Sequence, residues 1–310
     1  MVALITGGAH PALAGAIAQR LGIELTPVRL SHYPDAEVVR LEASVRGADL
    51  YLIQPTPPPP EAHLMELLLL ADAASRAGAA RITAVVPYLG YSRQDRRAGG
   101  ERTAVGARVV ANMLDSGAID RIVTVDLHQP AVEGFFSTPV EHLEAFPLLL
   151  EALGSVPADS VVVAPDLGAA KLADRFASAL KLPMAAVHKT RLTGVEVAAT
   201  HITGDVRGLR PVIVDDMITT GSTVRAAVSA LREAGAAGKV TVAATHGIFS
   251  ADAPSLLSGL GIERLLVTDS VPLASNGVAH MEGVPLATML ADVIRGLHDG
   301  GSLEAYRSRR

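Results

Sequence analysis

Short apolar runs rich in valine, isoleucine and leucine alternate with helical segments along most of this 310-residue chain. The runs at 2–6 and 121–125, for example, are too short for helices and show little polar alternation. Strands that read as apolar runs are buried on both faces of a sheet, and strands that alternate with helices form parallel sheets. The alternation therefore predicts an α/β fold in which mainly parallel sheets are covered by helices.

The alternation occurs in two blocks, which a shift in composition at 139–152 separates. Strands are predicted at 2–6, 26–30, 37–41, 49–54, 81–87, 121–125, 160–164, 184–187, 212–214, 240–246 and 264–268. Helices are predicted at 11–21, 62–77, 103–114, 169–180, 224–234, 253–260 and 284–297. The likeness of 121–128 to 239–246, each a basic residue, an apolar strand and a histidine, indicates an old duplication. We therefore predict two domains, at 1–144 and 145–283, followed by 284–310.

Composition excludes several classes of function. The chain has no cysteine, which excludes disulfides, thiolate catalysis and cysteine-ligated zinc. The net charge of −5 and the 3% content of aromatic residues argue against nucleic acid and anionic membranes as partners. The run 64–74 is too short, and too interrupted by Glu66 and Asp72, to span a bilayer. The N-terminus does not have the regions of a signal peptide, so we expect a cytoplasmic protein.

The stretch 210–223, which reads RPVIVDDMITTGST, predicts a ligand site. An apolar run at 212–214 ends in two carboxylates, Asp215 and Asp216, and a loop rich in hydroxyl groups follows before a helix. Open α/β sheets bind their ligands at this carboxyl end of the strands. The stretch thus predicts a strand, an acidic turn, a loop and a helix N-terminus. The alternative is a plain strand-to-helix turn with a capping Asp or Thr.

The loop at 219–223 has the chemistry of a phosphate site. A helix N-terminus offers unpaired N–H groups and the positive end of the helix dipole, and small residues let the backbone wrap an anion. Gly221 can adopt conformations closed to other residues. Hydroxyl donors come from the rest of the loop, Thr219, Thr220, Ser222 and Thr223. The two carboxylates would repel a phosphate but can accept hydrogen bonds from sugar hydroxyls, so the site suits a phosphorylated sugar.

Two basic segments could bind further phosphate groups. The loop 91–97 has three arginines within five residues after a predicted strand, which suits a polyphosphate, and a solvated charged loop is the alternative. Lys189 and Arg191 are two residues apart, so on an extended segment their side chains point the same way. They could stabilise charge that develops between two phosphates. The alternative is a surface hairpin with basic decoration.

Together these segments resemble the ribose-phosphate pyrophosphokinase family, also called phosphoribosyl pyrophosphate synthetases. The stretch 214–223 is similar to the ribose-phosphate loop of type I phosphoribosyltransferase folds, and five dispersed signatures follow the family's order from about 31 to 290. The resemblance implies two similar type I phosphoribosyltransferase-like domains whose strand ends face a shared cleft. It also implies that the final segment, 284–310, packs back on the first domain.

The resemblance implies an ATP site in the first domain. Arg93 and Gln94 match the family's R-Q-D-R segment, where the corresponding residues contact ATP. The segment 33–37 resembles a loop that serves an ATP molecule bound largely by a neighbouring subunit, and it keeps Asp35 and Glu37. From the residues alone, 33–37 is better interpreted as a hairpin turn. The family therefore implies a homo-oligomer, a dimer or larger, with an ATP site shared between subunits.

The resemblance also implies Mg²⁺ as the cofactor. His128, in V-D-L-H, and Asp166, in A-P-D-L-G, match positions that the family links to the metal. One histidine and one carboxylate with much remaining water suit Mg²⁺, which loses its water reluctantly. A buried histidine capped by Asp126 is the alternative for His128. Lys189 and Arg191 match the catalytic K-x-R of the family's flexible loop.

The implied reaction joins ATP and ribose 5-phosphate. The sugar phosphate would lie on 219–223 with its ring hydroxyls on Asp215 and Asp216, and the anomeric hydroxyl would attack the β-phosphorus of MgATP. The products would be 5-phosphoribosyl 1-pyrophosphate and AMP. Two alternatives stay open: a purine or pyrimidine phosphoribosyltransferase, and a non-catalytic regulatory homologue.

Three departures from the family pattern favour its archaeal-type branch. Thr219 stands where many members have Asp, and Ser222 stands where they have Gly. The stretch 98–104 lacks the family's basic R-x-R-x-P-I pattern, and 189–192 lacks its common Arg-Pro-rich form. Regulation by phosphate or ADP, the size of the oligomer and strict preference for ATP are therefore left open.

Overall fold

The computed structural model describes residues 1–97, 102–191, 197–250, 252–273, 278 and 280–307, without the side chains at 32, 189–191 and 197–200. The strands in chain order are β1 (Val2–Thr6), β2 (Val28–His32), β3 (Glu37–Leu41), β4 (Asp49–Ile53), β5 (Arg81–Val86), β6 (Arg121–Val125), β7 (Val140–Leu143), β8 (Ser160–Ala164), β9 (Met184–Arg191), β10 (Val197–Thr203), β11 (Arg210–Ile218), β12 (Val240–Gly247), β13 (Ile262–Thr268) and β14 (Met281–Val284). The helices are α1 (Pro11–Leu21), α2 (Pro60–Arg76), α3 (Gly106–Asp115), α4 (Phe146–Leu153), α5 (Ala170–Leu180), α6 (Ser222–Glu233), α7 (Ala253–Ser258) and α8 (Ala287–Asp299), with a 3₁₀ segment at Pro130–Phe135. None of these helices is both long enough and apolar enough to cross a membrane.

The chain forms two compact units. Unit 1 comprises Met1–Ala145, Ser270–Pro272 and Pro285–Arg310, and unit 2 comprises Phe146–Asp269 and Leu273–Val284. Helix α8 therefore belongs to unit 1, where it packs against α1.

Unit 1 is built on a parallel sheet of five strands in the order β1-β4-β5-β6-β7, and β2 and β3 form a separate antiparallel hairpin. Its core joins apolar side chains of the central strands, such as Leu50 and Leu52, to side chains of α2, such as Leu67 and Leu70. These four side chains are fully buried, and each contributes on the order of 1.5–3 kcal/mol to folding.

Unit 2 is built on a sheet of seven strands in the order β10-β9-β8-β11-β12-β13-β14. All neighbours are parallel except β10, which runs antiparallel to β9. Fully buried valines and isoleucines of β8, β11 and β12 form its core with the apolar face of α6. The predicted α/β fold, with mainly parallel sheets covered by helices, is confirmed.

The two sheets visit equivalent positions in the same chain order. In unit 1, β1 and α1 precede the β2–β3 hairpin, and in unit 2, β8 and α5 precede the β9–β10 hairpin. Apart from the hairpins, the strands run β1-β4-β5-β6-β7 in unit 1 and β8-β11-β12-β13-β14 in unit 2. Strand β6 therefore corresponds to β13, not to β12. The predicted repeat, which matched 121–128 to 239–246, therefore paired β6 with the wrong strand of unit 2. Both are central parallel strands, which share apolar β-branched composition because they are buried on both faces.

Several strands extend further than predicted. Strand β11 continues through both aspartates to Ile218 because β12 pairs with it as far as Gly247. Strand β9 continues to Arg191 because β10, which was not predicted, pairs with it across the hairpin. The edge strands β7 and β14 were also missed, since each has only four residues.

Candidate active site

The end of β11 carries the predicted sugar-phosphate site in unit 2. Strand β8 pairs with β11 only as far as Ile213, so the part of β11 that holds Asp215 and Asp216 extends beyond β8. These aspartates therefore lie on the strand itself, and the predicted acidic turn after Val214 is wrong. Helix α6 begins at Ser222, two residues before the predicted start.

Three carboxylates lie close together at this edge of the sheet. Asp215 is 8% exposed, and its Oδ1 accepts a hydrogen bond of 2.9 Å from the backbone N–H of Asp216. Burial raises the pKa of Asp215 well above its ordinary value, and the negative charges of Asp216 and Asp166 raise it further. Asp215 therefore lies close enough to Asp216 and Asp166 for their negative charges to act on it.

Asp166 follows β8 and orders the next turn. Its Oδ1 accepts hydrogen bonds from the backbone N–H groups of Gly168 at 2.9 Å and Ala169 at 3.3 Å, just before α5 begins. Leu167, between Asp166 and Gly168, is 65% exposed. Asp166 is itself half-buried, so one carboxylate oxygen is tied to the turn while the group still faces the acidic edge.

The loop between β11 and α6 has the backbone that a phosphate site needs. Gly221 adopts the left-handed conformation, with φ 75°, immediately before the helix. A Cβ at Gly221 would lie 3.2 Å from Leu257 Cγ, so a larger residue would meet both strain and crowding. The hydroxyls of Thr220 and Ser222 are exposed and lie 2.9 Å apart. The half-buried Thr219 and Thr223 flank them, and the Thr219 carbonyl accepts from Ser250 N–H at 3.0 Å.

Unit 1 has a different chemistry at the equivalent place. The first residues after β6 and β13 make the same contact, because Asp126 N–H donates to Leu143 O and Asp269 N–H donates to Val284 O. This shared contact aligns β6 with β13, and the strand pairings then align β5 with β12 and β4 with β11. In this alignment Gln54 of unit 1 corresponds to Asp215 of unit 2. The segment that follows Gln54 contains prolines at 55 and 57–60, which carry no N–H group. It cannot form the cup of amides that α6 offers.

The predicted ATP residues of unit 1 follow β5. Tyr91 has a positive φ of 63°, an uncommon conformation for a residue with a side chain. Its carbonyl accepts from Gln94 N–H at 2.9 Å, and the Gln94 carbonyl accepts from Ala107 N–H at 3.1 Å near the start of α3. The side chains of Arg93 and Gln94 are exposed on this turn. Strained backbone of this kind tends to occur at functional sites.

The segment with Asp35 and Glu37 is the turn of the β2–β3 hairpin. Tyr33 N–H donates to Ala36 O at 2.7 Å, which closes the turn. Asp35 is exposed, Glu37 is half-buried and Tyr33 is 59% exposed. The hairpin interpretation is confirmed, and the turn presents an acidic and aromatic surface.

His128 follows a second strained turn, after β6. Asp126 has a φ of 41°, and its Oδ2 accepts from Ala145 N–H at 3.1 Å. The carboxylate of Asp126 is therefore engaged with the segment after β7. His128 is half-buried. A second histidine, His142, accepts a hydrogen bond from the backbone N–H of Leu127, the residue before His128. His142 was not predicted from the sequence.

Lys189 and Arg191 lie on β9 rather than in a loop. Lys189 pairs with Thr200 and Arg191 with Val197 across the hairpin, so the backbone is extended at both residues. The segment 192–196 and the two side chains lie outside the described residues. The preceding His188 is half-buried, and its Nε2 lies 3.0 Å from Thr203 Oγ1.

Within the part of the chain that the structure describes, no group of three or more acidic, histidine or cysteine side chains is arranged to hold a metal ion. The carboxylate oxygens of Asp166, Asp215 and Asp216 are nevertheless the type of ligand that a hard divalent cation prefers. Such an ion would have to keep much of its water or bind phosphate oxygens of a substrate.

Comparisons with known proteins agree with this architecture. The model for the N-terminal domain of ribose phosphate pyrophosphokinase matches residues 2–117, and that for the phosphoribosyl synthetase-associated domain matches residues 190–307. The crystal structure of phosphoribosylpyrophosphate synthetase from Mycobacterium smegmatis has a TM-score of 0.91 and 38% identity over 97% of this chain and 99% of its own.

Curated relatives match over nearly the whole length. The ribose-phosphate pyrophosphokinase of Corynebacterium efficiens is 43% identical over 97% of this chain and 94% of its own. That of Vibrio parahaemolyticus is 41% identical over 97% of this chain and 98% of its own. The resemblance found in the sequence motifs is confirmed, and the chain belongs to the ribose-phosphate pyrophosphokinase family.

Proposed function

We propose that this chain transfers the β,γ-diphosphate of MgATP to the C1 hydroxyl of ribose 5-phosphate, releasing AMP. The observation that carries the proposal is the end of β11, where two aspartates precede a hydroxyl-rich loop and a left-handed Gly221 at a helix N-terminus. The relatives' names support it, since they match at about 40% identity over nearly the full chain.

The sugar phosphate binds at 219–223. Backbone N–H groups of the first turn of α6 and the exposed hydroxyls of Thr220 and Ser222 bind the 5-phosphate. Asp216 is the more accessible acceptor for ring hydroxyls, and Asp215 contributes from its buried position. The strained, preformed loop lowers the entropy that ordering on binding would cost.

Asp166 and His128 are the residues that would hold Mg²⁺, as the resemblance to the family implies. When bound, it neutralises charge on the phosphate oxygens of ATP. The chemistry of the carboxylates supports this role, because a cation would stabilise the like charges that raise the pKa of Asp215. Arg93 and Gln94 bind ATP, and Asp35 and Glu37 bind the ATP of a neighbouring subunit, which requires a dimer or larger homo-oligomer.

Lys189 and Arg191 stabilise the charge that builds on the bridging oxygens as the anomeric hydroxyl attacks. Their positions support this role, since the two residues are two apart on the extended backbone of β9. Positioning and charge stabilisation suffice for phosphoryl-group transfer, so no covalent enzyme intermediate is required. We also propose that one functional domain comprises residues 1–144 with 284–310, and that the other comprises residues 145–283.

Release of AMP from ATP tests the proposal. The reaction contains ribose 5-phosphate, Mg²⁺ and ATP, without nucleobase or pyrophosphate. AMP that forms only when ribose 5-phosphate is present supports a synthetase, whereas a phosphoribosyltransferase would form none. Lys189→Ala should slow AMP release about 10²–10³-fold. If the wild type releases no AMP, a non-catalytic homologue is the better account, and an unchanged Lys189→Ala variant would remove the catalytic assignment.

The finer assignment, to the archaeal-type branch, rests on Thr219, Ser222 and the composition of 98–104. A chain of that branch does not need inorganic phosphate for activity. Initial rates of AMP formation with and without phosphate test this, and a strict requirement for phosphate would place the chain with the phosphate-activated majority.

A further inference from the structure

The turn that carries His128 forms hydrogen bonds to β7 and to the residues after it. Asp126 N–H donates to Leu143 O at 2.9 Å, and Ala145 N–H donates to the Asp126 carboxylate at 3.1 Å. These contacts hold Asp126 at its positive φ of 41°. A non-glycine residue in this region costs about 1–3 kcal/mol and persists only where its surroundings fix it.

His142 also contacts this turn. Its Nε2 accepts a hydrogen bond of 2.9 Å from the backbone N–H of Leu127, the residue directly before His128. Burial lowers the pKa of His142, although the charges of Glu133 and Glu144 act in the opposite direction. The neutral ring that this favours has the free lone pair on Nε2 that the hydrogen bond requires.

Unit 2 shows that the fold itself does not demand an imidazole here. Leu143 and Val284 are equivalent, because each accepts from the aspartate that follows the neighbouring strand. The residue before Val284 is Gly283, so the position equivalent to His142 has no side chain. The hydrogen bond to Leu127 is therefore a feature of unit 1 alone.

The strand that carries His142 is itself anchored by the C-terminal segment. Glu144 N–H donates to Tyr306 O at 2.9 Å, and Leu143 forms an antiparallel bridge with Arg307. The Arg307 guanidinium also pairs with the carboxylate of Glu141. The C-terminal segment thus contacts the outer side of β7 at the residues next to His142.

We infer that His142 is a positioning residue that orients the Asp126–Leu127–His128 turn toward MgATP. The inference rests on the proposed function, since that function assigns His128 to the metal. Without an acceptor, the Leu127 N–H would be unsatisfied and the strained turn could relax. Residues that orient metal ligands from behind typically change metal affinity or activity about 10- to 100-fold when they are replaced.

Two substitutions separate positioning from simple packing. His142→Leu removes the acceptor and keeps an apolar side chain, whereas His142→Gln places an amide oxygen near the position of Nε2. Hydrogen exchange is followed by mass spectrometry in peptides that contain Leu127, and steady-state kinetics are measured for both substrates. Urea unfolding of each variant measures its overall stability.

We expect His142→Leu to speed exchange at Leu127 and to lower kcat/KM for MgATP about 10- to 100-fold. The KM for ribose 5-phosphate should stay near the wild-type value, and His142→Gln should restore most of both losses. The inference is overturned if exchange at Leu127 is unchanged in His142→Leu. It is also overturned if the two variants lose activity equally, in step with their stability. A third contrary result would be that neither variant folds.

Failure of the proposed function would look different. In that case the wild type would form no AMP, and MgATP binding by calorimetry would replace the kinetics. Weaker MgATP binding by His142→Leu, with rescue by His142→Gln, would then still support the positioning role, and equal binding by all three proteins would end it.

Discussion

Replacing Asp215 by asparagine should stabilise the protein while damaging its activity. Asp215 is 8% exposed, and burial, Asp216 and Asp166 all raise its pKa. An asparagine keeps the oxygen that accepts from Asp216 N–H at 2.9 Å but removes the ionisable group. Relief of this kind at a functional site typically adds about 0.5–2 kcal/mol of stability. For domains of this size, each kcal/mol raises Tm by about 2–4 °C.

The effect should depend on pH with a definite sign. Because the folded-state pKa of Asp215 is raised, its favourable contribution is fully present below the unfolded pKa of about 3.9 and is lost as pH rises through the folded pKa. The gain from Asp215→Asn should therefore be small near pH 4 and largest at neutral pH. Activity should fall about 10- to 150-fold in kcat/KM for ribose 5-phosphate, since a hydrogen bond to a charged group is lost.

Urea unfolding between pH 4 and pH 8, with AMP release at pH 7.5, measures both effects. Asp216→Asn is the matched control, because Asp216 is half-buried and should gain less stability while losing comparable activity. An Asp215→Asn variant that is less stable than the wild type at neutral pH would refute the reasoning. A stability gain that does not change with pH would refute the electrostatic part of it.

Gly221→Ala should cost about 1–2 kcal/mol from its φ of 75° and should also raise the KM for ribose 5-phosphate, whereas Gly208→Ala, with φ 72° and open space around it, should show a similar cost with an unchanged KM. Equal KM values for the two variants would argue against a phosphate site at Gly221. Arg81→Met should lower the free energy of unfolding by about 1–3 kcal/mol because it leaves the buried Asp49 without its bidentate partner, while Arg76→Met, in an exposed pair, should change it by less than about 1 kcal/mol in urea titrations. Similar losses in the two arginine variants would show that burial does not set the value of the pair.

The sequence predicted local features well because they depend on nearby residues. The bounds of β1, α1, β3 and β6 are as predicted, since an apolar run or a helical pattern ends there at a clear polar or glycine signal. Gly221 and the hydroxyl loop were likewise placed at a helix N-terminus from their composition alone.

Features that depend on a distant partner could not be predicted in the same way. Asp215 lies on a strand rather than in a turn because β12 continues to pair with β11, and no local signal records that pairing. Lys189 lies on β9 for the same reason, through β10. The contact of His142 with Leu127 joins residues on different strands. Only the equivalence of the two sheets shows that this contact is special to one of them.

A crystal structure with ribose 5-phosphate and a non-hydrolysable ATP analogue would show where the sugar phosphate binds. We expect the 5-phosphate within hydrogen-bonding distance of backbone N–H groups in 219–223, with ribose hydroxyls on Asp215 or Asp216. A 5-phosphate bound elsewhere in the chain, with this loop empty, would contradict it.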